Sequence, residues 1–121
     1  ASPMPGAPED APINDLERDQ DLKGDWRRHI NNALETAYGD LVNRFDQLAY
    51  LKVPNMAAVR RWRLAQEQSL PAASRKSIGE INQFVAHYER LTLWMIEDVP
   101  TRADLVVHLG EGHEVTSVVL A

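Results

Sequence analysis

Two apolar runs of strand length, Leu48-Ala49-Tyr50-Leu51-Lys52-Val53 and Asp104-Leu105-Val106-Val107-His108-Leu109, bracket two stretches of helical periodicity. Strand, helix, helix, strand is a crossover unit, and such units join neighbouring parallel strands. This pattern makes the fold class α/β, mainly helical with two or three strands. Pro54-Asn55 ends the first run and offers an Asn N-cap to a helix over 56–70, with Val59, Trp62 and Ala65 or Gln66 on one face. Pro71-Ala72-Ala73-Ser74 breaks that helix. Ser77-Ile78-Gly79-Glu80 then has the form of a capping box. The helix it opens carries Ile78, Ile81, Phe84, Val85, Tyr88, Leu91 and Met95 on one stripe and stops before Pro100.

Gly110-Glu111-Gly112 is a turn signal, and the β-branched Val115 to Leu120 reads as a third strand. Upstream, Asp25 is expected to cap a helix over 25–43, in which Trp26, Ile30, Ala33, Leu34, Ala37 and Leu41 recur at helical spacing. The first strand, ended by Pro54, reads as buried. Two or three strands make a thin sheet with both edges open, so the pattern reads as the end of a larger domain.

Charge divides the chain differently. Residues 1–21 hold Glu9, Asp10, Asp15, Glu17, Asp19 and Asp21 against Arg18, a balance of -5 that equals the net charge of the whole 121-residue chain. The first twelve residues also hold Pro3, Pro5, Pro8 and Pro12, so 1–21 reads as an acidic arm, mobile at least over 1–11, with the domain in 22–121. The remainder is neutral and has no basic stripe, which argues against nucleic acid as a partner. The chain lacks cysteine, a secretory signal and a membrane-length apolar run, the pattern expected of a cytoplasmic protein.

No histidine pair has zinc-binding spacing, although His108 and His113 flank the Gly110 turn and are close enough in sequence to meet. Gly-x-Ser-x-Gly is absent, so a serine hydrolase has no support. Arg60-Arg61-Trp62-Arg63 followed by Gln66-Glu67 is unusually dense in charge. By spacing alone it is a solvated stripe with an Arg63–Glu67 pair; the sharper reading aims its guanidinium groups at phosphate, joined by Arg75 and Lys76. His87-Tyr88-Glu89-Arg90 reads either as a core tyrosine with a polar border or as part of a site. Asn14, Glu17, Arg18, Trp26 and Arg27 form a second polar group, by composition a linker and a helix start.

In order, these stretches resemble a family. Pro12-Ile13-Asn14-Asp15-Leu16-Glu17, then Asp21, then Gly24-Asp25-Trp26-Arg27-Arg28 is similar to a segment of D-glycerate 3-kinases and related P-loop kinases. The likeness continues through Phe45-Asp46-Gln47-Leu48-Ala49-Tyr50-Leu51 and Val59-Arg60-Arg61-Trp62-Arg63-Leu64-Ala65-Gln66-Glu67. It extends through Phe84-Val85-Ala86-His87-Tyr88-Glu89-Arg90-Leu91-Thr92 and Arg102-Ala103-Asp104-Leu105-Val106, so that it spans about residues 12–114.

The resemblance implies the C-terminal part of a three-layer α/β/α P-loop kinase, which transfers a phosphoryl group from ATP, with Mg2+, to the hydroxyl of D-glycerate or a similar small hydroxy acid. It puts Arg60, Arg61 and Arg63 at a lid over the nucleotide phosphates. Asn14, Glu17, Trp26, Arg27, His87, Tyr88 and Arg90 fall around the acceptor, with Arg90 as a carboxylate clamp. Residues 110–114 resemble the loop near the adenine. Gly-x-x-x-x-Gly-Lys-Ser/Thr occurs nowhere in this chain, so no activity or tight ATP binding is expected of it alone. An N-terminal kinase part, in cis or in trans, is then the implied partner. The alternative is a non-catalytic binding or assembly module, or a homo-oligomer formed through the open sheet edge.

Overall fold

The computed structural model describes residues 11–121. The expected arm therefore lies outside the described residues over 1–10. Its described end holds a short helix, α1 (Asp15–Gln20), that the sequence reading left unassigned. Helices α2 (Asp25–Glu35) and α3 (Ala37–Val42) follow, then β1 (Ala49–Lys52), α4 (Met56–Gln68), α5 (Ile78–Asp98), β2 (Leu105–Leu109) and β3 (Val115–Leu120). The class is mixed α/β. Among the described residues no helix is long and apolar enough to cross a membrane.

The crossover forms as its pattern dictates. β1 and β2 pair in parallel, with Tyr50 beside Val106 and Leu51 beside Val107, and α4 and α5 connect them. β3 returns antiparallel on β2, giving the order β1-β2-β3 with a bulge beside His108 and Leu109. The helix starts follow local chemistry. Asn55 accepts the Ala58 N–H at 2.8 Å, and Ser77 and Glu80 exchange the reciprocal bonds of a capping box at 3.1 and 2.7 Å.

The core is divided between two small clusters. Met56, Ile81 and Val85 hold α4 on α5, and Val99, Ala103 and Val106 hold the end of α5 on the sheet beside Leu48, Tyr50 and Met95. Each fully buried aliphatic side chain contributes roughly 1.5–3 kcal/mol, so these few positions carry much of the packing energy.

Three expectations are corrected. The helix expected over 25–43 is broken at Thr36, whose hydroxyl donates back to the Asn32 carbonyl at 2.7 Å. The chain is so tight there that a Cβ at Gly39 would lie 2.7 Å from the Leu34 carbonyl oxygen. Asp25 does not cap α2: Gly24 is the N-cap at φ +76°, and the Asp21 carboxylate takes the Trp26 and Arg27 N–H groups at 2.9 and 3.1 Å. The first strand is not buried but alternates, with Leu51 62% exposed, because one face of the sheet is uncovered.

Candidate functional site

The site begins with α1. Asn14 caps it by accepting the Glu17 N–H at 3.0 Å. The same side-chain amide donates to the Ala86 carbonyl at 3.0 Å and to Glu89 at 3.1 Å, which fixes α1 against α5. Glu17 completes the attachment. Its two oxygens receive Arg90 Nε and Nη2, each at 2.8 Å, in a fork geometry, and one also accepts the Ile13 N–H at 2.9 Å. Burial alone would raise the Glu17 pKa. The Arg90 hydrogen bond, the Ile13 N–H and the charges of Arg90 and Arg27 outweigh it, so the carboxyl lies below its ordinary value.

A second charged pair is built at the start of α2. Arg27 is 4% exposed; it donates Nε to the Asp21 carboxylate at 3.1 Å and Nη2 to the Asp21 carbonyl at 2.7 Å. Its guanidinium lies 3.2 Å from where a Cβ would stand on Gly24. Glycine at 24 thus provides both the positive φ and the space for Arg27. Burial pushes the Asp21 pKa up, but the Trp26 and Arg27 N–H groups and the Arg27 side chain bring it below its ordinary value.

Between these pairs lies a cleft of about 240 Å³, with Leu16, Ile30 and Leu91 as its apolar lining. Glu17, Trp26, Arg27, His87 and Arg90 also line it, so residues near 17–31 and 86–91 converge from distant parts of the sequence. Trp26, although apolar and helical in spacing, is 62% exposed and stacks on His29 at 5.2 Å. His87 Nδ1 lies 2.8 Å from the Gln83 carbonyl. Because a carbonyl only accepts, Nδ1 carries the proton, and Nε2 is an acceptor in the neutral ring.

Two of the residues that the sequence grouped with these lie elsewhere. Asn14 lines an adjoining depression with Arg60 and Glu89. Tyr88 lines a groove with Val59, Arg63 and Phe84, and its ring is 5.3 Å from that of Phe84.

The arginines of α4 diverge. Arg60 pairs with Glu89 of α5, while Arg61 pairs with Glu111 beyond β2. Arg63 makes the expected pair with Glu67 at 3.0 Å and covers the Phe84 ring at 5.0 Å. Lys76 approaches the same ring at 5.4 Å, and Arg75 donates to the Leu70 carbonyl at 2.7 Å. Each α4 guanidinium is thus engaged by a different carboxylate, and the three do not converge on one point.

The 110–114 turn is held on α4. Glu111 accepts from Asn55 at 2.9 Å and from Arg61 at 2.5 Å through its carboxylate, and from Trp62 Nε1 at 2.9 Å through its carbonyl. The Arg61 and Asn55 hydrogen bonds hold its carboxyl below the ordinary value. His113, at φ +68°, stacks on Trp62 with ring centroids 3.8 Å apart. His108 instead lies in the sheet opposite Ser117. Among the described residues no group of three or more His, Asp or Glu side chains is placed to hold a metal ion.

Sequence reading missed Asp21, Glu89 and Glu111 as the partners of Arg27, Arg60 and Arg61. Charge pairs across elements leave no i,i+4 spacing to find; Arg63–Glu67, within α4, had one. No family model, no curated protein and no solved structure matches this chain.

Proposed function

We propose that this chain is the acceptor-side part of an ATP-dependent small-molecule kinase of the D-glycerate 3-kinase type, within a three-layer P-loop kinase fold. The kinase would transfer the terminal phosphoryl group of ATP to the hydroxyl of D-glycerate or a similar hydroxy acid. One observation carries the reading: five of the residues that the resemblance assigns to the acceptor side, Glu17, Trp26, Arg27, His87 and Arg90, line a single cleft.

The chemistry of that cleft suits a small hydroxy acid. Arg90 offers the planar fork that binds a carboxylate, and Glu17 occupies it in the absence of substrate. A substrate carboxylate would exchange with Glu17 on that fork, while Arg27, fixed by Asp21, supplies a second positive charge. His87 Nε2 is an acceptor for a substrate hydroxyl proton.

ATP and Mg2+ belong to the reading, but the described residues do not fit a site for either. The α4 arginines are paired separately, and no carboxylate cluster is present among the described residues to hold the metal. No step through the nucleotide or the metal is assigned to these side chains.

The test is a titration of the 15N-labelled chain with D-glycerate. Shifts confined to the amides of Trp26, Arg27, His87 and Arg90, and abolished by Arg90→Ala, are expected. Saturable shifts elsewhere, or none, would contradict the reading. A second reading, a non-catalytic assembly module, is favoured by the large exposure of Leu51, Val118 and Leu120 on the sheet.

A further inference from the structure

The cleft between α1, α2 and α5 is larger and more apolar than glycerate requires. A water takes about 30 Å³ of the liquid, and a covalently joined heavy atom takes about half of that. Glycerate, with seven heavy atoms, therefore displaces about 100 Å³. The cleft measures about 240 Å³, so glycerate would leave more than half of it unfilled.

The walls of the cleft suggest what fills the rest. Leu16 of α1, Ile30 of α2 and Leu91 of α5 meet there, and each is half-buried. α1 buries no residue of its own, so Leu16 is not engaged in a core. Trp26, in the first turn of α2, lines the same cleft and is 62% exposed. Trp26 and Ile30 are four apart on α2, as His87 and Leu91 are on α5, so each helix sets an aliphatic side chain beside a ring on one face. The charged groups are interleaved with these walls: Arg27 follows Trp26, and Arg90 precedes Leu91.

Small-molecule sites have this composition, mostly apolar walls with a few placed polar groups. A wholly polar ligand gains nothing from aliphatic walls. Each methylene that covers them strengthens binding by about threefold. A ligand that puts a carboxylate on the Arg90 fork and an apolar body on Leu16, Ile30 and Leu91 uses both kinds of surface.

We infer that the cleft binds a 2-hydroxy acid with an apolar body of about five to seven carbons. Its carboxylate sits on Arg90, its hydroxyl donates to His87 Nε2, and its body covers Leu16, Ile30 and Leu91. The places of the carboxylate and hydroxyl rest on the acceptor reading of the cleft; the seat for the apolar body rests on its walls alone.

The test titrates the 15N-labelled chain with D-glycerate, D-3-phenyllactate and 3-phenylpropanol. Phenyllactate, with twelve heavy atoms, fills about 180 Å³ and should bind at least about tenfold more tightly than D-glycerate. Phenylpropanol keeps the ring but lacks the carboxylate, and should bind at least about tenfold more weakly than phenyllactate. Leu16→Gln and Ile30→Asn should each reduce the preference for phenyllactate over D-glycerate at least about fivefold, with thermal unfolding showing that each variant folds. Equal affinity for the two acids, both abolished by Arg90→Ala, would overturn the inference and leave the acceptor reading in place. A preference unchanged by Leu16→Gln and Ile30→Asn, or phenylpropanol bound as tightly as phenyllactate, would also overturn it. Phenyllactate binding that needs Arg90, with no binding of D-glycerate, would uphold the inference and remove D-glycerate as the acceptor.

Discussion

The cleft and the sheet present opposite kinds of surface. In the cleft, Arg90 is answered by Glu17 and Arg27 by Asp21, with Asn14 tying α1 to α5 beneath them. On the sheet, Leu51, Val118 and Leu120 are more than half exposed, with no described helix packed over them. A polar site can be assembled and held by its own hydrogen bonds before any ligand arrives, because unsatisfied charges are costly. An aliphatic face has no such internal remedy and is stabilised only by being covered. The difference teaches that the charged groups of the cleft satisfy one another within the chain, whereas the exposed aliphatic side chains of the sheet do not.

The largest effect that sharpens this contrast is in the cores. Ile81, 1% exposed, packs between Met56 and Val85, so Ile81→Ala should cost about 2–5 kcal/mol in chemical denaturation. Val118→Ala, on the open face, should stay within about 0.5 kcal/mol. A comparable loss at both would show that the open face is covered in solution.

Next comes the cleft. In the chain joined to a phosphate-loop-bearing half, Arg90→Ala should raise the KM for D-glycerate about tenfold or more and leave that for ATP unchanged. Arg90→Lys should restore little of the loss, since an ammonium lacks the fork. Equal loss for both substrates would make the Glu17–Arg90 pair a strut and not a recognition element.

A smaller effect is expected at the start of α4. Asn55 both caps the helix and holds Glu111, and Asn55→Ala should lower stability by about 1 kcal/mol. It should also release Trp62 from the 110–114 turn, read as a change in tryptophan emission.

The smallest effect is that of pH. Glu17 and Asp21 both titrate below their ordinary values of 4.5 and 3.8. On acidification the unfolded chain therefore takes up protons first. The contribution of these groups is complete above about pH 4.5 and is lost as pH falls through the folded values. Glu17→Gln should flatten the fall of Tm below that pH; an unchanged acid limb would mean that Glu17 is not held by Arg90 in solution.

What the sequence made legible was local. The Asn55 cap, the Ser77–Glu80 box and the Arg63–Glu67 pair all follow from spacings of three or four residues. The parallel pairing of β1 and β2 follows from the length and order of the connection. Helix α2 shows where that reasoning stops. Of the apolar stripe suggested through Trp26, Ile30, Ala33 and Leu34, Leu34 is buried as expected, but its buried companions on the helix are Arg27 and Asn31, and Trp26 is exposed. Hydrophobic periodicity finds the face that packs in a core, whereas this helix turns a polar side inward to build the cleft.

Glu17 and Arg90 stand 73 residues apart, so their pairing is a product of the fold and not of any spacing. The resemblance named both residues, but not their contact. Likewise, the stripe on α5 was complete in the sequence, while Ile78, Phe84 and Tyr88 remain exposed, Phe84 with the Arg63 and Lys76 side chains over its ring rather than an apolar neighbour.

The most direct measurement is ATP-dependent phosphorylation of D-glycerate by this chain mixed with the phosphate-loop-bearing half of a D-glycerate 3-kinase. The account predicts transfer only when both are present, with the KM for D-glycerate raised by Arg90→Ala. A mixture that associates but transfers nothing, or transfers equally well with Arg90→Ala, would contradict it.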